Sequence, residues 1–192
     1  MVRVIKMSGE KVELGPLMRE DMPSFFSWVN DYDIAKYLAN MHGIRTVEDE
    51  MDWFESARHD PNREVYSLLE KSTGRLVGNC TLMNIDRIHR SAEFGILIGE
   101  KDCWGKGYGH EATALTIHYG FATMNLHSVY LKLFSYMQQA QKMFERVGFK
   151  VVGTRRESRY FNGKYYDEII MDVLNREFDL EQVKKTIAGA GQ

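Results

Sequence analysis

The stretch CWGKGYGHEA, Cys103 to Ala112, concentrates residues that could do chemistry. Gly105, Gly107 and Gly109 alternate, Lys106 stands between the first two, and a helical pattern begins at once. A glycine-rich turn lets backbone N–H groups approach a phosphate closely. The helix that follows adds its unbonded N–H donors and the positive end of its dipole. Phosphate binding is therefore the chemistry this segment predicts; the alternative is a tight strand-to-helix turn that holds nothing. Two common phosphate motifs are excluded. G-x-x-x-x-G-K-[ST] requires Ser or Thr after the lysine, where this chain has Gly107. G-x-G-x-x-G fails because the glycines alternate and position 110 is His110.

The loop needs a strand before it and a helix behind it, and both are legible. SAEFGILIG reads as a strand ending just upstream. HEATALTIHYGFATMN carries Ala112, Leu115, Tyr119 and Ala122 at helical spacing. Earlier, KVELGPLM reads as a strand. REDMPSFFSWVND reads as a helix with Asp21 as N-cap and Pro23 in its first turn. TVEDEMDWFESARHD predicts a second helix, with Thr46 as cap and Met51, Phe54 and Ala57 on one face. EVYSLLEK and RLVGNCTLMNI flank STG as a hairpin. Beyond the loop, SVYLKLFS reads as a strand and QQAQKMFERVGF as a helix ended by Gly148. KVVGTRRESRYFNGKYYDEIIMDVL reads as two strands joined by an Asn-Gly turn. This order suggests helices packed on a central sheet, α/β or α+β.

Composition narrows the function. The 192 residues, 44% of them hydrophobic, suit one core, read as a single domain over 1–192. With 25 basic and 27 acidic residues the formal charge is −2, which gives no electrostatic ground for a nucleic-acid or membrane partner. No apolar run approaches the ~20 residues of a bilayer span, and the N-terminus lacks a signal-peptide core. A cytoplasmic protein is expected. Cys80 and Cys103 form no disulfide framework and lack metal-ligand spacing, and no pair of histidines supplies it. No metal is expected.

EFGILIGEKDCWGKGYGHEA resembles the acetyl-CoA-binding segment of the GNAT N-acetyltransferase superfamily, nearest its RimJ/RimL-like branch and the spermidine N-acetyltransferases. The superfamily loop [QR]-x-x-G-x-[GA] corresponds to Trp104-Gly105-Lys106-Gly107-Tyr108-Gly109, with Trp104 in the Gln/Arg position. NIDRIHRSAEF, MFERVGF (similar to YEKLGF) and NGKYYDEIIMDVL extend the resemblance over about residues 65–178. It implies a mixed central sheet of about seven strands, flanked by helices, with splayed central strands. It also implies acetyl-CoA as cosubstrate, its pyrophosphate on backbone N–H groups of Gly105–His110. The pantetheine arm pairs with the backbone of Ile96, Leu97 and Ile98, where an N–H polarises the thioester carbonyl.

The implied reaction moves an acetyl group to a primary amine: a small amine, a polyamine, an amino sugar or a protein N-terminus. An amine with pKa near 10.4 is almost wholly protonated at neutral pH, so a general base helps by roughly 10²–10⁴. Glu93, at the head of the strand that would carry the acetyl group, is the candidate. Period-two alternation puts it on one face with Gly95, Leu97 and Gly99, unless a bulge intervenes. The other reading is a structural carboxylate paired with Arg87 or Arg90. Among the histidines, His89 falls in a turn near the expected cleft, and His118 and His127 are expected to pack or cap. The resemblance also has departures. Met137 stands where the family often has Asn, and Phe144 where it often has the Tyr assigned to protonating the leaving thiolate. Both can pack against pantetheine, but Phe144 cannot donate a proton, which leaves Tyr136, Ser135 or water. The acidic EDEMDWFESARHDPNRE stretch either attracts a cationic amine or is a solvated helix face. The alternative function is a CoA-binding module acting as sensor or scaffold without turnover. A homodimer is compatible with either.

Overall fold

Side chains alternate across a sheet that carries helices on both faces in the computed structural model, which describes residues 3–39 and 43–181. The strands are β1 (Met7–Ser8), β2 (Val12–Pro16), β3 (Glu64–Glu70), β4 (Leu76–Asp86), β5 (Ser91–Ile98), β6 (Ser128–Phe134), β7 (Lys150–Phe161) and β8 (Lys164–Leu174). Their spatial order is β1-β2-β3-β4-β5-β6-β8-β7. Every neighbouring pair is antiparallel except β5 and β6, which run parallel. Eight strands stand where about seven were expected; the extra one, β1, is two residues long and too short to leave a periodic signal. The helices are α1 (Met22–Asn30), α2 (Tyr32–Ala35), α3 (Val47–His59), α4 (Tyr108–Ala122) and α5 (Gln138–Val147).

Helices α4 and α5 cover one face, where Leu14, Leu68, Leu82, Phe94, Ile117, Leu131, Phe144 and Met171 belong to the larger core. Helices α1 and α3 cover the other, with Met22, Phe25, Trp28, Ile34 and Phe54 packed against Leu76 and Leu97. Helix α4 is buried nearly all round, from His110 through Ala114 and at Thr116, Ile117, Gly120 and Phe121. The expected stripe is therefore only partly the buried one: Ala112 is enclosed, and Ala122 is exposed.

The N-terminus of α3 follows its sequence signal. Thr46 Oγ1 accepts from Asp49 N–H at 3.1 Å, and Asp49 accepts from Thr46 N–H at 2.7 Å. Asp21 departs from its expected role. It occupies the N-cap position of α1, but its carboxylate makes no cap bond to that helix. Instead it is buried, accepts from Met18 N–H at 3.0 Å and from the Ser67 hydroxyl, and pairs with Arg3.

A second buried carboxylate ties the chain's beginning to α4. Glu111, 5% exposed in the first turn of α4, accepts from the backbone N–H groups of Glu10 (2.6 Å), Lys11 (2.8 Å) and Val12 (3.0 Å). Three donors of one turn converge on one anion. A Cβ at Gly9 would lie 2.6 Å from the Glu111 carboxyl carbon, so any larger residue there displaces the carboxylate. Removing the carboxylate leaves Val12 N–H buried without an acceptor. Glu111→Ala is expected to cost about 2–4 kcal/mol, read as a lower urea midpoint at unchanged slope. A variant as stable as the parent would show that water replaces the carboxylate freely.

Candidate active site

The site begins where two strands part. β5 and β6 pair only at Ser91–Ser128, Ala92–Val129 and Glu93–Tyr130. Beyond that, β5 continues on β4 to Ile98, and β6 continues on β8 to Phe134. Phe94–Ile98 thus has a strand on one side only. Gly99 N–H donates to Val77 C=O at 2.9 Å, which fixes the phase of the β4–β5 ladder. Alternation then turns the backbone groups of Phe94, Ile96 and Ile98 to the open side and those of Leu97 toward β4. The Leu97 carbonyl oxygen lies 2.0 Å from where a Gly78 Cβ would be. The expected trio is therefore split: Ile96 and Ile98 offer backbone to the gap, and Leu97 offers its side chain to the α1–α3 face. Ile98 C=O already accepts from the Trp104 indole N–H at 2.9 Å. No bulge falls between Glu93 and Ile98, so the predicted face parity holds.

Beyond β5, the glycine loop turns into α4. Gly105 (φ 73°) and Gly107 (φ 88°) occupy the left-handed region, and Gly107 is the N-cap of the helix. Gly109 lies inside the first turn, its Cβ position 3.7 Å from Ile98 and 3.9 Å from Ile96 and Met143. Glu111 N–H is the first to bond back, to Gly107 C=O at 3.1 Å. The N–H groups of Tyr108, Gly109 and His110 precede it and have no helical acceptor. Backbone donors so arranged can cradle an anion. The loop's side chains turn elsewhere. The Tyr108 hydroxyl donates to Glu70, whose carboxylate pushes the phenol up to about 12. His110 is 8% exposed, and burial pushes its pKa below the ordinary imidazole value. Lys106 is exposed, as is Trp104, whose ring meets the edge of Tyr37 at 6.0 Å.

Glu93 sits at the fork of β5 and β6. Its Oε2 accepts from Asn84 Nδ2 (3.0 Å) and from the Tyr130 hydroxyl and Lys132 Nζ (both 3.2 Å). Its cationic partner is thus Lys132 on β6. Arg87 instead donates to Pro61 C=O and Arg90 to Asn125, so neither expected pairing forms. Burial, then the charge of Glu93, pushes the Tyr130 phenol up, which keeps it a neutral donor. SVYLKLFS does place Tyr130 and Lys132 on one face by alternation; the parallel register that brings them to Glu93 leaves no mark in a single sequence.

Phe144 is buried at the apex of the gap, edge-on to Phe94 with ring centroids 6.3 Å apart and to Phe149 at 5.7 Å. Met137 stands at the N-cap of α5, its sulfur 3.5 Å from Phe134 N. Tyr136 donates its hydroxyl to Lys36 C=O at 2.7 Å, and burial pushes its pKa up. Ser135 Oγ accepts from Asp167 N–H at 3.2 Å. His89 lies in the exposed β4–β5 turn, its N–H on Asp86. His118 and His127 are exposed, so neither is packed in the core. The acidic stretch is largely engaged locally: Asp49 in the α3 cap, buried Glu50 on Arg45 at 3.2 Å, and Glu55 on Arg19 and Arg58. Among the described residues no cluster of His, Cys, Asp and Glu could hold a metal, and no helix is long and apolar enough to cross a membrane.

Known proteins share this fold. The spermidine N(1)-acetyltransferase of Escherichia coli strain K12 is 28% identical over 171 residues, covering 89% of this chain and 90% of that one. The spermidine N(1)-acetyltransferase of Vibrio cholerae serotype O1 is 31% identical over 168 residues, covering 88% and 95%. The crystal structure of a Vibrio cholerae spermidine N-acetyltransferase in complex with CoA and spermine matches with a TM-score of 0.81 at 26% identity. That match covers 88% of this chain and 98% of the other. Residues 11–150, which run from the start of β2 to the start of β7 and include the parted strands and the glycine loop, match the acetyltransferase (GNAT) domain, and the chain belongs to that family.

Proposed function

We propose that this single-domain protein acetylates a primary amine of a polyamine, using acetyl-CoA, by direct attack. The observation that carries the proposal is the convergence of three features: the open backbone edge at Ile96 and Ile98, the donors of Gly105–His110, and the Glu93 carboxylate at the fork. The polyamine as acceptor draws support from the relatives, whose names specify spermidine.

The residues divide the work. The loop N–H groups take the pyrophosphate, and the open edge of β5 takes the pantetheine amides as a strand takes a partner. The amine nitrogen attacks the thioester carbon. The carbonyl oxygen gains negative charge beside the N–H groups of β5, which are already oriented. Glu93, held by Tyr130, Asn84 and Lys132, accepts the amine proton directly or through one water. The C–S bond breaks, and the thiolate takes a proton from solvent, because Phe144 has none to give and Tyr136 is committed to Lys36 C=O. The products are the acetylated amine and CoA. Met137 and Phe144 contribute apolar surface beside the thioester.

Thiol release from acetyl-CoA with a panel of spermidine, spermine, an amino sugar and a peptide N-terminus tests the proposal. Turnover with the polyamines is expected to exceed the others. Turnover confined to another amine would replace the acceptor. Tight CoA binding with no turnover would favour a binding module, the reading that the missing hydroxyl at Phe144 supports. Glu93→Gln keeps shape and removes basicity, so kcat at neutral pH is expected to fall about tenfold or more, with the loss shrinking as pH nears the amine's own pKa. A variant that loses thermal stability and keeps kcat would mark Glu93 as structural. Phe144→Tyr is expected to raise kcat about three- to tenfold at unchanged KM for acetyl-CoA, since only the transition state gains from the hydroxyl. An unchanged kcat in a folded variant would show that proton delivery does not limit the rate.

A further inference from the structure

The anchoring of the N-terminal turn by Glu111 has a consequence for the glycine loop. Three backbone bonds to that carboxylate hold residues 10–12 against the first turn of α4. The turn is closed on itself by Gly9 N–H to Val12 C=O at 2.8 Å. It is braced from β3 by Lys71, whose N–H donates to Lys11 C=O and whose Nζ donates to Gly9 C=O, both at 2.8 Å. The backbone of Lys11 is thus fixed at both its N–H and its C=O. Its side chain extends over the loop, where Nζ donates to Lys106 C=O at 3.0 Å and lies 3.3 Å from the Cβ position of Gly107. No carboxylate forms an ion pair with Lys11 among the described residues. One N–H of the ammonium is used on the carbonyl, and two remain to point at whatever the loop holds.

We infer that Lys11 is a phosphate-binding residue of the acetyl-CoA site, contributed by the N-terminal hairpin and directed at the diphosphate over Gly105–His110. The inference rests on the reading of that loop as the diphosphate cradle. Backbone N–H groups supply directed but uncharged donors; a diphosphate also calls for a cation. Lys106, the one lysine within the loop, is exposed, as Lys11 is, but its side chain makes no ion pair or hydrogen bond among those described, whereas Lys11 Nζ is already held on a loop carbonyl. Lys11 reaches the same turn from a backbone fixed at both its N–H and its C=O, and its Nζ is already placed on the loop by the bond to Lys106 C=O. The diphosphate is favoured over the other phosphate of CoA because the ammonium is held against Lys106 and Gly107, beside the helix N-terminus where the backbone donors converge.

Calorimetric titration of the full chain with CoA, dephospho-CoA and pantetheine tests this. For the wild type, CoA and dephospho-CoA are expected to bind far better than pantetheine. Equal binding of all three would overturn the cradle itself, whatever Lys11 does. Given that preference, Lys11→Met is expected to weaken CoA and dephospho-CoA alike, by about three- to tenfold, and to leave pantetheine unchanged. It is also expected to flatten the salt dependence of CoA binding, while Lys11→Arg retains most of both. A loss confined to CoA would move the lysine to the 3′-phosphate and overturn the assignment. Unchanged CoA affinity, or a loss with the salt dependence intact, would reduce Lys11 to a brace for the loop and also overturn it.

Discussion

Strands β5 and β6 hold together for three residue pairs and then part, and the rest of the structure is arranged around that event. Backbone N–H and C=O groups deprived of a neighbouring strand are costly when buried and adhesive when exposed. Each arm of the fork is therefore carried by a strand on its outer side: β4 supports β5 through Ile98, and β8 supports β6 through Phe134. Just past the last β5–β6 pair, Phe94 packs against Phe144 and Phe149 in the core on the α4–α5 face. One exposed acceptor on the open edge, Ile98 C=O, is satisfied by the Trp104 indole from the loop itself. The remaining edge is suited to a ligand that brings its own amides.

The anion cradle depends on the same fork by a short path. β5 ends beside its own loop, and the loop runs directly into α4, whose first turn packs through Gly109 on Ile96 and Ile98. The chain's beginning reinforces this corner. Glu111 points away from the cradle and into the turn before β2, so a negative charge in the first turn of α4 is neutralised by three other backbone donors. The helix end is left positive for something else.

Much of this was legible in the sequence, for physical reasons specific to each element. Thr46 with Asp49, Gly148, and Asn162-Gly163 sit where only a few residue types perform well, so type and position coincide. The alternation in EFGILIG survived because no bulge interrupts β5 after Glu93. What failed depended on partners distant in the chain. Asp21 has the right identity and place for a cap, yet Arg3 and Ser67 draw its carboxylate elsewhere. The structural alternative for Glu93 names the nearby Arg87 or Arg90 as its partner, whereas the parallel pairing of β5 with β6 delivers Lys132. Lys11, 95 positions before the carbonyl it bonds, carried no local signal at all.

Strand parity also fixes how two substrates could meet. Side chains of Phe94, Ile96 and Ile98 belong to the α4–α5 face, and Glu93, Gly95, Leu97 and Gly99 to the α1–α3 face. On the proposed reading, a thioester lying in the gap along β5 is reached by the cradle from the first face and by an acceptor from the second, and selection of the acceptor belongs to the α1–α3 face. There, Arg159 is 8% exposed, donates to Ala39 C=O at 2.8 Å and Leu38 C=O at 3.2 Å, and lies over the Phe134 ring at 4.6 Å. With the Tyr136 bond to Lys36 C=O, it ties residues 36–39 to β7 and the end of β6. On the proposed reading, Glu93 occupies the one point common to both approaches, the last residue paired across the fork. A carboxylate one position later would face the other core, and one two positions later would lie beyond the last residue pair of β5 and β6.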